Sequence, residues 1–585
     1  MVKKCFIRIV ACLAVSNSFA SGKPPNVVIF LADDQGWGDL RVHGNTDINT
    51  PNIDSLAKDG ASFDRFFVCA VCAPTRAEFF TGRYHPKTGV SGVSTGRERL
   101  NIDEYTLGEA FKKAGYATGA FGKWHNGTQY PNHPNTRGYD EFYGFTSGHW
   151  GHYFSPALDH NGRVVKGDGY ITDDLTTKAM RFIKKQTETK KPFLIYLPYC
   201  TPHSPMQVPD EFWNRFKDKN LKMVHREAKR EKQAHKRASL AMVENVDWNV
   251  GRVLKQLEDL GLEEDTIVIY FSDNGPNGHR WNGDMRGKKG STDEGGLRVP
   301  FFIRWPGKIP EGQRVAKLAG AIDIFPTLAA LTGIQRDEPK SIDGVSLKPL
   351  LMEKETEWKE RTIFSTWANR FSLRTSQYRL SDKGELFDMI ADPGQRKDLS
   401  KKHPQIVDQL NAEMVQWRST LPNKGKRMTI RPFLVGYPGG IDNQLPSRDG
   451  NSEGGIKRSS IHPNCSFFLN WTKPEDRIFW KVDVVTAGEY EVELHYTCPE
   501  RDIGSTIELS FGDQKVTARV TVAHDPPLVG AAQDRFVRNE SLVKDFRILK
   551  MGKINLPKGK GRLSLRALEI PGSQVMDVRL LNLRK

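Results

Sequence analysis

Four short apolar runs, each followed at once by polar residues, constrain this chain more than any other feature. Asn26–Leu31, Tyr116–Phe121, Phe193–Leu197 and Thr266–Phe271 are mostly rich in β-branched and aromatic residues and lack strict alternation. Strands covered on both faces read this way. The first run leads into Asp33-Asp34, the second into Lys123 and His125, the third into His203 and the fourth into Asp273-Asn274. Helix signals lie between the runs. Thr106-Leu107-Gly108-Glu109 is a capping box with Gly115 beyond it, and Thr50-Pro51 opens a segment that Gly60 closes. The stretch from residue 24 to about 355 therefore reads as an α/β domain with a parallel sheet, whose site forms beyond the carboxyl ends of its strands.

The chain has 585 residues, too many for one ordinary core. A polar, Pro/Gly-rich stretch from Leu421 to about Gly455 marks a boundary. Beyond it, Ile478–Val485, Tyr490–Tyr496, Thr506–Phe511, Lys515–Val522 and Arg562–Leu568 alternate between turn signals, the pattern of a β-sandwich. In that sandwich Trp471, Trp480 and Tyr496 read as core aromatics rather than stacking platforms for sugars. Residues 221–260 read as a charged helix, with the basic run Arg226–Arg237 on its solvated face. A content of 38% hydrophobic and 10% aromatic residues excludes a disordered chain.

Lys and Arg number 86 against 70 acids, a formal charge of +16 that suggests an anionic partner. The N-terminus narrows which one. Lys3 and Lys4 precede an apolar stretch from Cys5 to Val15, and Ser18-Phe19-Ala20 follows, the pattern of a secretory signal peptide over residues 1–20. Ile9–Cys12 offers a competing lipoprotein box, but the apolar segment before it is short and continues past it. Removal of residues 1–20 takes Lys3, Lys4 and Arg8 away and leaves +13. Export to the periplasm or medium disfavours nucleic acid, and no later apolar run is long enough to span a bilayer. Anionic lipid and sulfated or phosphorylated substrates remain. Five cysteines outlast the signal: Cys69, Cys72, Cys200, Cys465 and Cys498. Cys465 and Cys498 are available to each other, and the odd number leaves at least one thiol outside any internal disulfide.

Asp33, Asp34, Asp273 and Asn274 offer only oxygen ligands, which suit Ca²⁺ or Mg²⁺. Cys72 opens the segment Cys72-Ala73-Pro74-Thr75-Arg76, where Pro74 fits a first helical turn and puts Cys72 at a helix N-terminus. Arg76 would add donors suited to a tetrahedral oxyanion. His149, His279 and Arg280 lie in loops near these motifs and are tentative substrate contacts.

These motifs resemble those of the formylglycine-dependent sulfatases of the alkaline phosphatase superfamily, from about Pro25 to Ser400. The resemblance rests on Asn26–Asp34, Cys72–Arg76 with Thr81-Gly82-Arg83, Gly122–His125, Ser272–Pro276, Gly287–Pro300, Ile322–Leu328 and Leu386–Leu399. Thr75 stands where the family most often has Ser or Ala. The resemblance implies an alkaline-phosphatase-like mixed sheet sandwiched by helices over 21–355, a small subdomain over 356–425, and the sandwich over 426–585, similar to carbohydrate-binding modules. It implies that a formylglycine-generating maturation enzyme oxidises Cys72 to formylglycine (3-oxoalanine), whose hydrate is the nucleophile. It also implies that Asp33, Asp34, Asp273 and Asn274, with residue 72, bind Ca²⁺, with Mg²⁺ as the alternative. Arg76 and Lys123 would hold the modified side chain, His125 would take a proton, and His203 and Lys289 would bind sulfate and assist the leaving alcohol. The expected activity is hydrolysis of sulfate esters on a sulfated glycan. The alternatives are a phosphodiesterase or phosphonate hydrolase of the same superfamily, or a non-catalytic glycan-binding protein.

Overall fold

The computed structural model describes residues 23–335, 340–352, 358–422, 430–440 and 442–585. The signal-peptide reading and the boundaries at 355 and 425 fall outside the described residues. The four apolar runs form four neighbouring strands: β1 (Asn26–Ala32), β2 (Ala117–Lys123), β3 (Phe193–Pro198) and β4 (Thr266–Ser272). They lie in the order β4-β1-β3-β2 and pair in parallel. Every residue of the four is buried. Along β1, Val28, Phe30 and Ala32 join one apolar cluster and Val27, Ile29 and Leu31 the other. Two cores, one on each face, are what a continuous apolar run requires.

The full sheet has ten strands and is mixed. Phe301–Arg304 pairs antiparallel with β4, and the hairpin of Ala157–His160 and Arg163–Lys166 closes the far edge. The expectation of a parallel sheet thus holds for its centre, and that of a mixed sheet for the whole. The capping box forms as expected: Glu109 N–H reaches Thr106 Oγ1 and Thr106 N–H reaches Glu109 Oε2. Thr50 precedes the helix Pro51–Lys58, but its side chain does not cap it; Thr50 Oγ1 donates to Asp54 and accepts from Arg41 N–H. The charged helix begins at Gln233 and runs to Asp259, later than expected. Ahead of it, Asp47 accepts the N–H groups of Lys222 and Met223, and Glu231 that of His225, so this stretch is held by side-chain carboxylates outside the helix.

A four-stranded antiparallel sheet between Ile363 and Asp388 packs with the helix Pro404–Ser419. Residues 433–584 form two six-stranded sheets. Trp471, Trp480 and Tyr496 sit in the core between them. Cys465 and Cys498 are buried and free rather than paired. Their sulfurs face different carbonyls, Ser541 O and Val575 O.

Candidate active site

The polar clusters after the four strands converge. Backbone hydrogen bonds lock the strand ends together: Asp273 N–H donates to Ala32 O, and Asp33 N–H to Thr201 O. Asp34 N–H then donates to Asp273 Oδ1. Asp34 and His125 hold left-handed backbone, at φ 69° and 63°. Such conformations are costly for residues with a Cβ and persist where the surroundings fix them.

The helix α1 (Cys72–Thr81) starts at Cys72 and is buried along its whole length. Ligand atoms of Asp33, Asp34, Cys72 and His203 all lie within 4.8 Å of one another. Cys72 Sγ is 3.4 Å from Asp33 Oδ1. Burial, then the Asp273 carboxylate, push the Cys72 thiol far above its ordinary value. Thr75 ties this helix to the sheet: its hydroxyl donates to Asp273 O at 2.6 Å and accepts the Cys69 N–H at 2.9 Å.

Three cations hold the carboxylates. Lys123 Nζ lies 2.5 Å from Asp33 Oδ2 with both side chains fully buried. Burial disfavours the ammonium, but Asp33, Cys72 and Asp273 together outweigh it and raise the Lys123 pKa. Lys289 Nζ lies 2.7 Å from Asp34 Oδ1, whereas neighbouring Lys288 makes no such pair. Burial opposes ionisation of Asp34, yet Lys289, His203 and Lys123 hold its carboxyl well below the usual range. Arg76 differs from the expectation of a free anion fork. Its Nε and Nη2 donate to Asp273 Oδ2, and Nη1 to Lys123 O and Tyr196 Oη. It therefore positions a carboxylate.

The acidic cluster suits a divalent cation. Burial and the adjacent Asp33 push Asp273 up to about 6 in spite of Arg76, the mark of carboxylates crowded without enough positive charge. Asn274 Nδ2 donates to Asp34 Oδ1, while its Oδ1 is buried with no partner. An orphaned oxygen beside three carboxylates is a hard-cation donor set.

The histidines are neutral. Burial, then Lys123, hold His125 well below its ordinary value, and burial with Lys289 brings His203 down to about 4. His125 Nε2 donates to Val93 O, which leaves Nδ1 a buried, unpartnered lone pair. His203 Nε2 is 3.6 Å from Asp34 Oδ2, and its ring stacks on His149 at 5.9 Å. Of the tentative substrate contacts, His149 thus lies in the cluster. Arg280 does not serve as expected: it is 2% exposed, with Nε and Nη2 on Asp39 and a second Nη2 bond to Asp34 O. His279 packs edge-on against His225. Sequence reasoning missed Ser204, Glu540 and Asn464. The last two come from the sandwich, hundreds of residues away, and no local signal marks them.

The sulfatase family model matches residues 25–334, and that of the N-sulphoglucosamine sulphohydrolase C-terminal region matches 288–420. An N-acetylgalactosamine-6-sulfatase of Canis lupus familiaris is 30% identical over 383 residues, 59% of this chain and 70% of that protein. An N-acetylgalactosamine-6-O-sulfatase of Bacteroides thetaiotaomicron is 27% identical over 493 residues, 67% of this chain and 92% of that one. Among solved structures, Ps i-CgsB in complex with k-i-k-neocarrahexaose is 32% identical with a TM-score of 0.61, covering 68% of this chain and 93% of its own. The chain belongs to the sulfatase family. It is a sulfuric ester hydrolase, and the reading of a non-catalytic glycan-binding protein falls away.

Proposed function

We propose that this exported enzyme removes sulfate from a sulfated carbohydrate, with Cys72 converted to formylglycine and a Ca²⁺ ion, or Mg²⁺ in its place, beside it. The observation that carries the reading is Cys72 at the first position of a buried helix, clustered with Asp33, Asp34 and His203. Carbohydrate is supported by relatives whose names specify N-acetylgalactosamine 6-sulfate groups and by a neighbour solved with a neocarrahexaose. Export is supported by the pattern of residues 1–20.

Asp33, Asp34, Asp273 and the Asn274 side-chain oxygen would hold the cation. When bound, the cation would polarise sulfate oxygens and neutralise charge on the attacking group. The formylglycine hydrate would supply an oxygen nucleophile in place of a thiol that burial keeps protonated. Arg76 keeps Asp273 in place and ionised. Lys123 and Lys289 bring fixed positive charge to the sulfuryl oxygens in a largely buried site, where such charge counts most. His125 is a neutral imidazole with its Nδ1 lone pair free, so it takes a proton from residue 72 as sulfate departs. His203 and Lys289, on the Asp34 side, would bind the sulfate and assist departure of the alcohol. Positioned proton transfer of this kind contributes about 10²–10⁴-fold.

The test compares sulfate release from sulfated glycans with turnover of phosphate diesters and phosphonates, with and without a chelator. The expected result is preferred sulfate release from glycans, loss of activity on chelation and recovery with Ca²⁺ or Mg²⁺. Faster turnover of phosphate diester or phosphonate would overturn the reading.

A further inference from the structure

The sandwich packs against the site: Asn464 contacts His149 there, and Glu540 contacts Ser204 beside His203. Asn464 is 7% exposed, and its Nδ2 lies 3.4 Å from His149 Nδ1. A Cβ on Gly148 would strike both His125 Nε2 and Asn464 Nδ2, at 2.5 and 2.6 Å. This glycine is the thin partition between the candidate base and the sandwich. An amide N–H on Nδ1 puts the His149 proton on Nε2. That Nε2 and the Asn464 Oδ1 are both buried and unpartnered. Each such group costs about 1–3 kcal/mol unless something satisfies it. A donor and an acceptor left over on two touching side chains match the hydroxyls of a sugar, which both donate and accept.

On the other side of His203, Ser204 Oγ donates to Glu540 Oε2 at 2.8 Å. Glu540 also lines a cavity of about 580 Å³, with Ser459, Phe467, Leu469, Val537 and Arg538 around it. Apolar panels with a few fixed polar groups suit the faces and hydroxyls of a sugar. Arg538 is engaged by Asp534 and Gly151 O, so Glu540 sets the charge of this wall. A carboxylate there repels a second sulfate.

We infer that the sandwich is part of the substrate site: Asn464, with His149, holds a hydroxyl of the sulfated sugar, and the cavity beside Glu540 takes the next, unsulfated sugar. Both family-model matches end by residue 420, so these contacts come from a segment that neither covers. The inference rests on the carbohydrate reading above.

The experiment measures kcat/KM for a sulfated trisaccharide with an unsulfated neighbouring unit, relative to that for 4-nitrophenyl sulfate. The variants are Asn464→Ala and Ala531→Trp. Ala531 lines the cavity and is exposed, so its indole should block the space without unfolding the chain. The ratio should fall roughly tenfold or more in each, mainly through KM, as for one lost hydrogen bond or more. A ratio unchanged in both variants, or equal loss on both substrates, overturns the inference while leaving the carbohydrate reading intact. A wild type that cleaves the aryl sulfate and no sulfated glycan overturns the carbohydrate reading, and this inference with it.

Discussion

At the scale of single residues, His125 carries the sharpest expectation. Its ring is buried, its Nε2–H is committed to Val93 O, and Lys123 adds a second reason to stay neutral. A histidine pKa pushed below its ordinary value leaves the base competent as pH falls through 6.5. The acid limb of kcat should therefore lie below pH 6.5, and His125→Ala should lower kcat by about 10²–10⁴-fold with little change in KM. An acid limb at or above pH 6.5 would contradict this. Asp33, Asp34, Lys123, Asp273 and Asn274 were legible because each lies at or just after a strand end in sequence, and Cys72 and Lys289 through their motifs. The engagement of Arg76 and Arg280 was not. A guanidinium in a motif reads as an anion binder, and only the fold shows that Asp273 and Asp39 already occupy the two forks.

At the scale of elements, α1 carries a buried acid that costs stability. Burial pushes Glu78 from 4.5 up to about 8, although it accepts the His85 N–H. Between these values the unfolded chain has released the proton and the folded chain still holds it. Stability from this group is full below pH 4.5 and is lost as pH rises toward 8, by an amount on the order of 4 kcal/mol. Glu78→Gln keeps an acceptor for His85 and removes the titration. Its Tm should exceed that of wild type at pH 8 and converge with it near pH 5; parallel Tm curves would rule this out.

The four parallel strands at the centre of the sheet were legible to within two residues because each is a continuous apolar run, whereas its six other strands were not. Arg547–Leu556 in the sandwich was missed. A register shift opposite Val492 and Glu493, at Met551, breaks its alternation, and its outer residues are exposed. The late start of the helix at Gln233 was hidden for a different reason: the stretch before it is held by Asp47, distant in sequence.

At the scale of the whole molecule, the sandwich and the catalytic domain form one body through buried charge. Arg448 of the sandwich lies 3.5 Å from Glu98, each side chain 1% exposed, and also contacts Thr128. Removing one partner of such a pair costs about 3–5 kcal/mol, because the other charge stays buried. Arg448→Met should lower Tm by several degrees, and the double variant Arg448→Met/Glu98→Gln should recover part of the loss. A single variant with unchanged Tm would show that the two domains are not coupled here. The length announced two or three domains and the composition a surplus of positive charge. Neither gave a sign that the second domain abuts the site of the first, because contacts across hundreds of residues leave no periodicity or motif.

The central claim concerns Cys72, and peptide mass spectrometry across it tests that claim most directly. Protein made with a formylglycine-generating enzyme should give a Cys72 peptide at the aldehyde mass, in a fraction that tracks sulfatase activity, and Cys72→Ala should abolish both. Fully active protein with an unmodified thiol at Cys72 would contradict the account.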